Sequence, residues 1–485
     1  MSIFNTIANL FNATVGRNQE FEQLIVAKDI GRVISLMDNH HQEADEALKE
    51  YNPKTHVIME RKDKILKDLT GKRKGTLARW KLPVGYPVYI NEMSLVFIFG
   101  QPVKWVQLSD DTDDGFKAFS DLLTRMHINS KIRQCKRLAG SETESAMLFR
   151  VFRNNEGQAD CQIRVIARSK GDEIYTRWDV YENLITFAWG HYSKDVTGKT
   201  TYHVDIFMPD TIYHCHRGSF GWEVEEEDNP IGKIPVIYFR QKKEWEGVED
   251  LINREEYIAS RRADTNDYFS DPYLVIKAAL LKSMPNKDVE NKTLVASDNV
   301  DDVSKLAGFL TWDGQNESKK DEIEWLKHHI LTKTFTPDVD WSQMKGLSAM
   351  SGKALKQMML LADIKATKHK ELYDELLDRI GSLVISIMSN VLYINRSELK
   401  LEELKVQATY REPFGEDVAE VIKNINDSIE GGTMSEESGI EQNPLVKDKQ
   451  LEKARVMKQR EQAAREQRDL FAGTQEKADV YGDVE

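Results

Sequence analysis

The chain has 485 residues, 40% of them hydrophobic and 30% charged, with a formal net charge of −13. That length allows about two to four domains and a sizeable core, while three cysteines, Cys135, Cys161 and Cys215, are too few for a disulfide framework and form no C-x-x-C pair, so a reducing, cytoplasmic compartment is expected. The first residues carry no basic stretch followed by a cleavable apolar one, no apolar run approaches roughly 18 residues, and the acidic balance argues against a tight grip on DNA while leaving passive contact open.

From Glu20 to about Lys49 apolar residues recur at helical spacing (Phe21, Leu24, Ile25, Ile30, Val33, Ile34, Met37) and predict one amphipathic helix. SLVFIFGQPVKWVQL, dense in β-branched and aromatic residues and broken by Gly100 and Pro102, reads as strand, turn and strand. SDDTDDG then opens a helix whose inner face is Phe116, Phe119, Leu122, Leu123 and Met126. Between Met147 and Phe239 strand signals dominate: two strands meet around Asn-Glu-Gly and two more around Thr197-Gly198. After Phe239 the chain turns charged and helical for roughly 25 residues, with so few apolar positions that such a helix can bury little against its own chain. Short strands (YLVIKAAL, TLVAS, GFLTWDGQN) separate it from a second helix, SKKDEIEWLKHHILTKTF, which Thr336-Pro337 ends. DVDWSQMKGLSAMSG is a loop, and Lys353 to about Ile394 is a long helix with an apolar stripe running from Leu376 to Leu392. One more strand, a charged helical region and a polar tail over 471–485, expected to be disordered, complete the chain.

Motifs for chemistry fail on their own requirements. Gly198-Lys199-Thr200 has Ser193 where a P-loop needs glycine, and Gly346 to Gly352-Lys353 is one residue too long and followed by Ala354. Both read better as a hairpin turn and a loop. Asp110, Thr112, Asp114, Gly115 and Asp121 fall near calcium-loop spacing, with Thr at the third ligand and Asp at the last, so an acidic helix start is the better reading. His203, His214 and His216 are the best metal candidates, because residues two apart on a strand share a face, but no carboxylate or cysteine is expected there to complete a zinc set. No nucleophile elbow, His-Glu-x-x-His or Cys-His signature is present, so no catalytic residue, metal or cofactor is assigned.

In this order of elements the chain resembles the portal proteins of long-tailed double-stranded DNA bacteriophages. FIFGQPVKW, GKIPVIYF, YIASRRADTNDYFSDPYL, TFTPDVDW, MSGKALKQMMLLADIKATKHKELYDELL and TMSEESGIEQNPLVKDKQLEKARVMKQRE carry the likeness over about Glu20 to Glu466. Tyr51-Asn52-Pro53 departs from the family's usual Tyr-Tyr-x-Gly, and the stem-to-tunnel segment is short. The resemblance implies a mainly helical α+β portal fold: a wing over 1–240, a first stem helix over 241–270, a clip over 271–316, a second stem helix over 317–336, a tunnel loop over 337–352, a long wing helix and strand over 353–413, and a crown over 414–470. It further implies a ring, usually of twelve subunits, at one capsid vertex of the virion, assembled in the host cytoplasm without membrane contact. Through that ring double-stranded DNA would be packaged and later ejected, with the terminase large subunit, a head-tail adaptor, and major capsid and scaffolding proteins as partners. Asp338, Asp340, Gln343, Lys345 and Ser348 would face DNA from the tunnel loop, ATP hydrolysis would belong to the terminase, and an acidic channel would let phosphates slide. A DNA-translocating or DNA-modifying enzyme and a monomeric adaptor are the competing classes, the first lacking a catalytic motif and the second at odds with the long buried helix.

Overall fold

Ten aromatic or large aliphatic side chains in fourteen residues make Tyr86–Phe99 apolar on almost every side, and the segment is a helix embedded in core rather than a strand. This overturns the strand expected at SLVFIF: an apolar run without period marks burial, not element type, and Pro87 in the first turn starts the helix. The computed structural model describes residues 20–67, 71–270, 273–277, 293–296, 307–310, 316–339, 359–394, 396–411, 418–446 and 449–462.

The helix expected from Glu20 to Lys49 is three: α1 (20–26), α2 (Ile30–Ser35) and α3 (His41–Tyr51). Lys28 takes a left-handed backbone at φ 61°, and Asp29 then caps α2 by accepting from the Arg32 amide. The hairpin β1 (Lys64–Lys67) and β2 (Arg73–Leu77) follows, then the buried helix α4 (Tyr86–Phe99) and the strand β3 (Lys104–Gln107). Next come α5 (Asp113–Arg125), with Phe119, Leu122 and Leu123 buried as expected, and α6 (Ile128–Glu142).

Strands β4 (Glu144–Arg153) and β5 (Ala159–Ile166) form the expected hairpin, and β11 (Val236–Arg240) joins β4 to complete a three-stranded sheet. Strands β6 (Glu173–Trp178), β7 (Leu184–Lys194), β8 (Thr200–Phe207), β9 (Thr211–Arg217) and β10 (Trp222–Asp228) form an antiparallel meander, with β10 at one edge. One face of this meander packs Ala188, Val204 and Cys215 on α1 and α2; the other packs Phe187 and Phe207 on Leu148 and Val236 of the three-stranded sheet.

After α7 (Glu249–Ser270), strand β12 (Tyr273–Lys277) pairs parallel with β13 (Thr293–Ala296) and antiparallel with β14 (Ala307–Leu310). Helix α8 (Asn316–Lys333) and the long α9 (Leu360–Ile387), which ends in a π turn at Met388–Leu392, come next. The expected stripe on α9 is real: Leu377, Ile380, Leu383, Val384 and Ile387 lie in the largest core with Phe119, Phe149 and Ile237. At Gly381 the helix meets β3 and β15 (Val406–Thr409); a Cβ there would lie 3.1 Å from both Trp105 and Val406, so only glycine allows this approach without displacement.

The chain divides into two compact units, one of residues 1–344 and 358–413 and a second of 345–357 and 414–485. In the second, α10 (Val418–Glu430) and α11 (Glu436–Gln442) pack where Gly439 faces Ile425 and Ile429, and α12 (449–462) is tied to α11 by a 2.6 Å Lys453–Glu441 ion pair. The tail over 471–485 lies outside the described residues.

Candidate channel-forming elements

Helices α7 and α8 run side by side, joined in sequence by the small β12–β14 sheet. Sequence composition suggests that α7 buries little against its own chain, and its first half corrects this. Ile252 and Ile258 are buried, and Trp245, Val248, Ile330 and Leu331 form a cluster with Tyr86 and Ile90 of α4. Three polar residues are buried there as well. Glu256 accepts from the Val84 amide at 2.8 Å and lies 2.6 Å from His56 Nδ1, Ser260 Oγ accepts from the Leu82 amide at 3.0 Å, and Glu255 accepts from the Tyr86 hydroxyl at 2.9 Å. Burial pushes the Glu255 carboxyl up to about 7. The polar sequence of α7 thus hides an interior face in which each buried acid is bonded through one oxygen, while Glu255 Oε2, Glu256 Oε2 and His56 Nε2 have no hydrogen-bond partner among the described residues. On its outer side the same stretch is joined to α8 by the 2.9 Å Arg254–Glu322 ion pair, and Tyr257 and Trp325 face the exterior.

Helix α8 closes at Lys333, before Pro337 is reached. Thr334 Oγ1 donates back to the Ile330 carbonyl at 2.8 Å, and Phe335 turns left-handed at φ 52°. Tyr89 of α4 then holds the exit: its hydroxyl donates to the Pro337 carbonyl at 2.7 Å and accepts from the Val339 amide at 3.3 Å. Asp338, 40% exposed in its side chain, pairs with Lys327 at 2.9 Å. Asp340, Gln343, Lys345 and Ser348 lie outside the described residues.

A second cluster ties the start of α7 to α9. Glu244, in the turn before α7, is buried and meets three basic partners: Lys136 of α6, Lys365 of α9 at 2.7 Å and His369 of α9 at 3.2 Å. Gln241 also donates to Glu244 at 2.8 Å and accepts from the Tyr373 hydroxyl at 2.6 Å. Burial alone would raise the Glu244 carboxyl, yet Lys136, His369 and Lys365 outweigh it and hold the group well below the carboxylate range. Burial in turn pulls down both the Lys136 ammonium and the His369 imidazole. Gly140 sits where a Cβ would strike Asn91 Oδ1 and crowd Glu244, so α6 and this turn meet over bare backbone.

The sequence's metal candidates occupy the expected shared face. His191, His203 and His216 are register neighbours on β7, β8 and β9, and His214 lies two residues from His216. The expectation that this face lacks carboxylates is wrong: Asp205 lies 2.8 Å from His214, Glu227 lies 3.2 Å from it, and Glu223 lies 3.1 Å from His216. His214 thus takes two carboxylates, His216 takes one and His203 Nε2 instead bonds Ser193 Oγ at 2.7 Å, while Asp205 with Glu227 raises His214 to about 9. Among the described residues no group of three or more His, Cys, Asp or Glu could hold a metal ion. Gly198-Lys199 turns between β7 and β8 with Gly198 at φ 84°, as a hairpin requires. Asp113 and Asp114 begin α5, and Gly115 is there for packing, since a Cβ would strike the Leu399 carbonyl.

Two features escape sequence reading. Glu244 stands in a charge-rich stretch, with partners 108 and 121 residues away in sequence, and no local signal marks it. The hairpin β1–β2 does carry a signal: residues 61–81 hold nine Lys or Arg and two Asp, a net +7 inside a chain of −13.

A family model described as "Phage portal protein, SPP1 Gp6-like" matches residues 30–466. The chain belongs to the phage portal protein family. Among curated proteins this portal-family chain is similar to the portal protein of Bacillus phage SPP1, at 22% identity over 313 residues, a stretch that covers 59% of this chain and 59% of that relative. The family match spans the helix–sheet–helix segment from α7 to α8, the sheets before it, and α10 and α11 after it. No helix among the described residues is long and apolar enough to cross a membrane.

Proposed function

We propose that this chain is the subunit of a ring, of about twelve copies, that forms the DNA channel at one capsid vertex. The observation that carries the reading is the family match running in order through residues 30–466. In this reading α7 and α8 are the stem, the β12–β14 sheet is the clip that meets the terminase large subunit and the head-tail adaptor, and α10 to α12 belong to the crown. Major capsid and scaffolding proteins would contact the wing as the vertex is built in the host cytoplasm. Residues 337–352 are the tunnel loop, with Asp338, Asp340, Gln343, Lys345 and Ser348 toward DNA. Tyr89 supports this assignment, because it fixes the first residues of that loop on α4.

The channel's part in packaging is to offer DNA a surface that does not hold it. Phosphates are bound where clustered Lys and Arg displace counterions, and an acidic lining supplies no such release. The chain itself performs no hydrolysis in this scheme; the terminase supplies the work. Negative-stain images and native mass of the purified full chain test the reading. Rings of about twelve copies support it, and a monodisperse monomer across salt and concentration refutes it.

A further inference from the structure

The hairpin β1–β2 is built to be covered. A two-stranded sheet alone is marginal in water, and here Ile65 is 54% exposed, Leu77 48% and Trp80, just after β2, 49%. Strand β1 pairs only with β2 among the described strands, so an edge of each remains open. Its base is fastened to the second half of α7: Arg61 pairs with Asp264 at 2.6 Å, the Trp80 amide donates to Asp264 at 2.9 Å, and Trp80 Nε1 donates to Asp267. The anchoring fixes where the hairpin stands and leaves Lys62, Lys64 and Arg73 exposed.

The complement lies on the other sheet. Strand β10 is an edge strand, and Trp222–Asp228 contains five carboxylates and no cation: Glu223, Glu225, Glu226, Glu227 and Asp228. All five are exposed, and no described strand pairs with the outer side of β10. Within one chain the two elements are bound to different partners, the hairpin to α7 and β10 to β9.

We propose that the basic hairpin of one copy docks on the acidic edge strand β10 of the next copy, extending the five-stranded sheet across the subunit boundary. This rests on the ring reading above and names its contact. Like charge opposes either element pairing with its own equivalent: hairpin against hairpin sets +7 against +7, and β10 against β10 sets five acids against five. The charge-matched contact between these elements is therefore heterologous, head to tail, the kind that closes into rings rather than two-fold dimers. The open edges supply backbone donors and acceptors, and charge selects the partner. Nucleic acid is the weaker occupant, because Ile65 and Leu66 point to opposite faces of the hairpin, and phosphates would satisfy neither.

The test uses the full chain in three forms beside the wild type: Lys62→Glu, Lys64→Glu, Lys72→Glu and Arg73→Glu, which take residues 61–81 from +7 to −1; Glu225→Lys, Glu226→Lys and Asp228→Lys, which take β10 from −5 to +1; and both sets together. Native mass at low salt should show the two partial reversals losing rings at least about tenfold, since juxtaposed like charges oppose association. Mixed in equal amounts they should regain rings containing both in equal numbers, because each reversed hairpin then meets a reversed strand. The combined chain should form rings alone. Partial reversals that assemble like the wild type overturn the docking, as does a mixture or combined chain that restores nothing. Normal rings whose hairpin reversal abolishes retention of double-stranded DNA would overturn it in favour of nucleic acid. A wild type that remains monomeric overturns the ring reading itself, and this contact with it.

Discussion

Replacing Glu244 by Gln keeps the shape of the side chain and removes the one anion that Lys136, Lys365 and His369 share. The Lys136 side chain is 0% exposed, so water cannot take the place of the carboxylate. Breaking a buried ion pair from one side costs about 3–5 kcal/mol. A second route gives the same size: the lysine can at most be forced to give up its proton, at about 1.36 kcal/mol for each pH unit between its ordinary value near 10.4 and pH 7, or roughly 4.6 kcal/mol. Urea denaturation followed by tryptophan fluorescence should therefore show Glu244→Gln destabilised by about 3–5 kcal/mol at pH 7. The deficit should shrink toward pH 10, where the unfolded lysines also begin to lose their protons. Adding Lys136→Met should recover much of the loss, because a flexible apolar side chain fits the same space. A deficit under about 1 kcal/mol, unchanged between pH 7 and pH 10, would mean that the cluster is hydrated and would refute the reasoning.

Glu255, whose carboxyl burial raises from 4.5 to about 7, contributes stability that is fully present below pH 4.5 and lost as pH rises through 7. Glu255→Gln should therefore flatten the fall in unfolding free energy from urea denaturation between pH 5 and pH 8, by on the order of 3 kcal/mol, and a wild-type slope retained in the variant would exclude Glu255 as its source. Ile380→Ala on the buried stripe of α9 should cost about 2–5 kcal/mol by the same denaturation assay. In the proposed tunnel loop, Asp340→Lys rings should assemble normally yet package DNA slowly at low salt, recovering as salt screens phosphate attraction; equal rates at both salt levels would remove Asp340 from the channel wall. Purified chain should show no ATPase or nuclease turnover, and activity that Lys199→Ala abolished would contradict the proposed division of labour with the terminase.

Periodicity makes most of the elements legible. The α9 stripe, the β4–β5 hairpin, the turn at Gly198 and the helix–strands–helix order can all be read because each depends on neighbours in sequence. What fails depends on three-dimensional surroundings. Helix α4 is embedded among apolar partners, which erases the period that separates helix from strand. The break between α1 and α2 turns on the single left-handed Lys28, and α7 conceals buried acids because His56, Leu82, Val84 and Tyr86 approach it from about 170 to 200 positions earlier. The metal expectation at His203, His214 and His216 locates the right face but misses the carboxylates that strands β8 and β10 bring to it.

The pairing of β3 with β15 has a consequence for the order of events during synthesis. Thr409 Oγ1 donates to the Lys104 carbonyl at 3.0 Å across 305 residues, and both α7 and α8 lie inside that interval. At about 5–20 residues per second, a ribosome needs roughly 15–60 s to pass from one strand to the other. During that time Trp105 and Phe119 wait for Gly381 and Val406, while the helical pair and its small sheet have already emerged. The nascent chain therefore exposes one side of its largest core until the last partner arrives, and this interval is where chaperone engagement or premature association of unfinished chains would act.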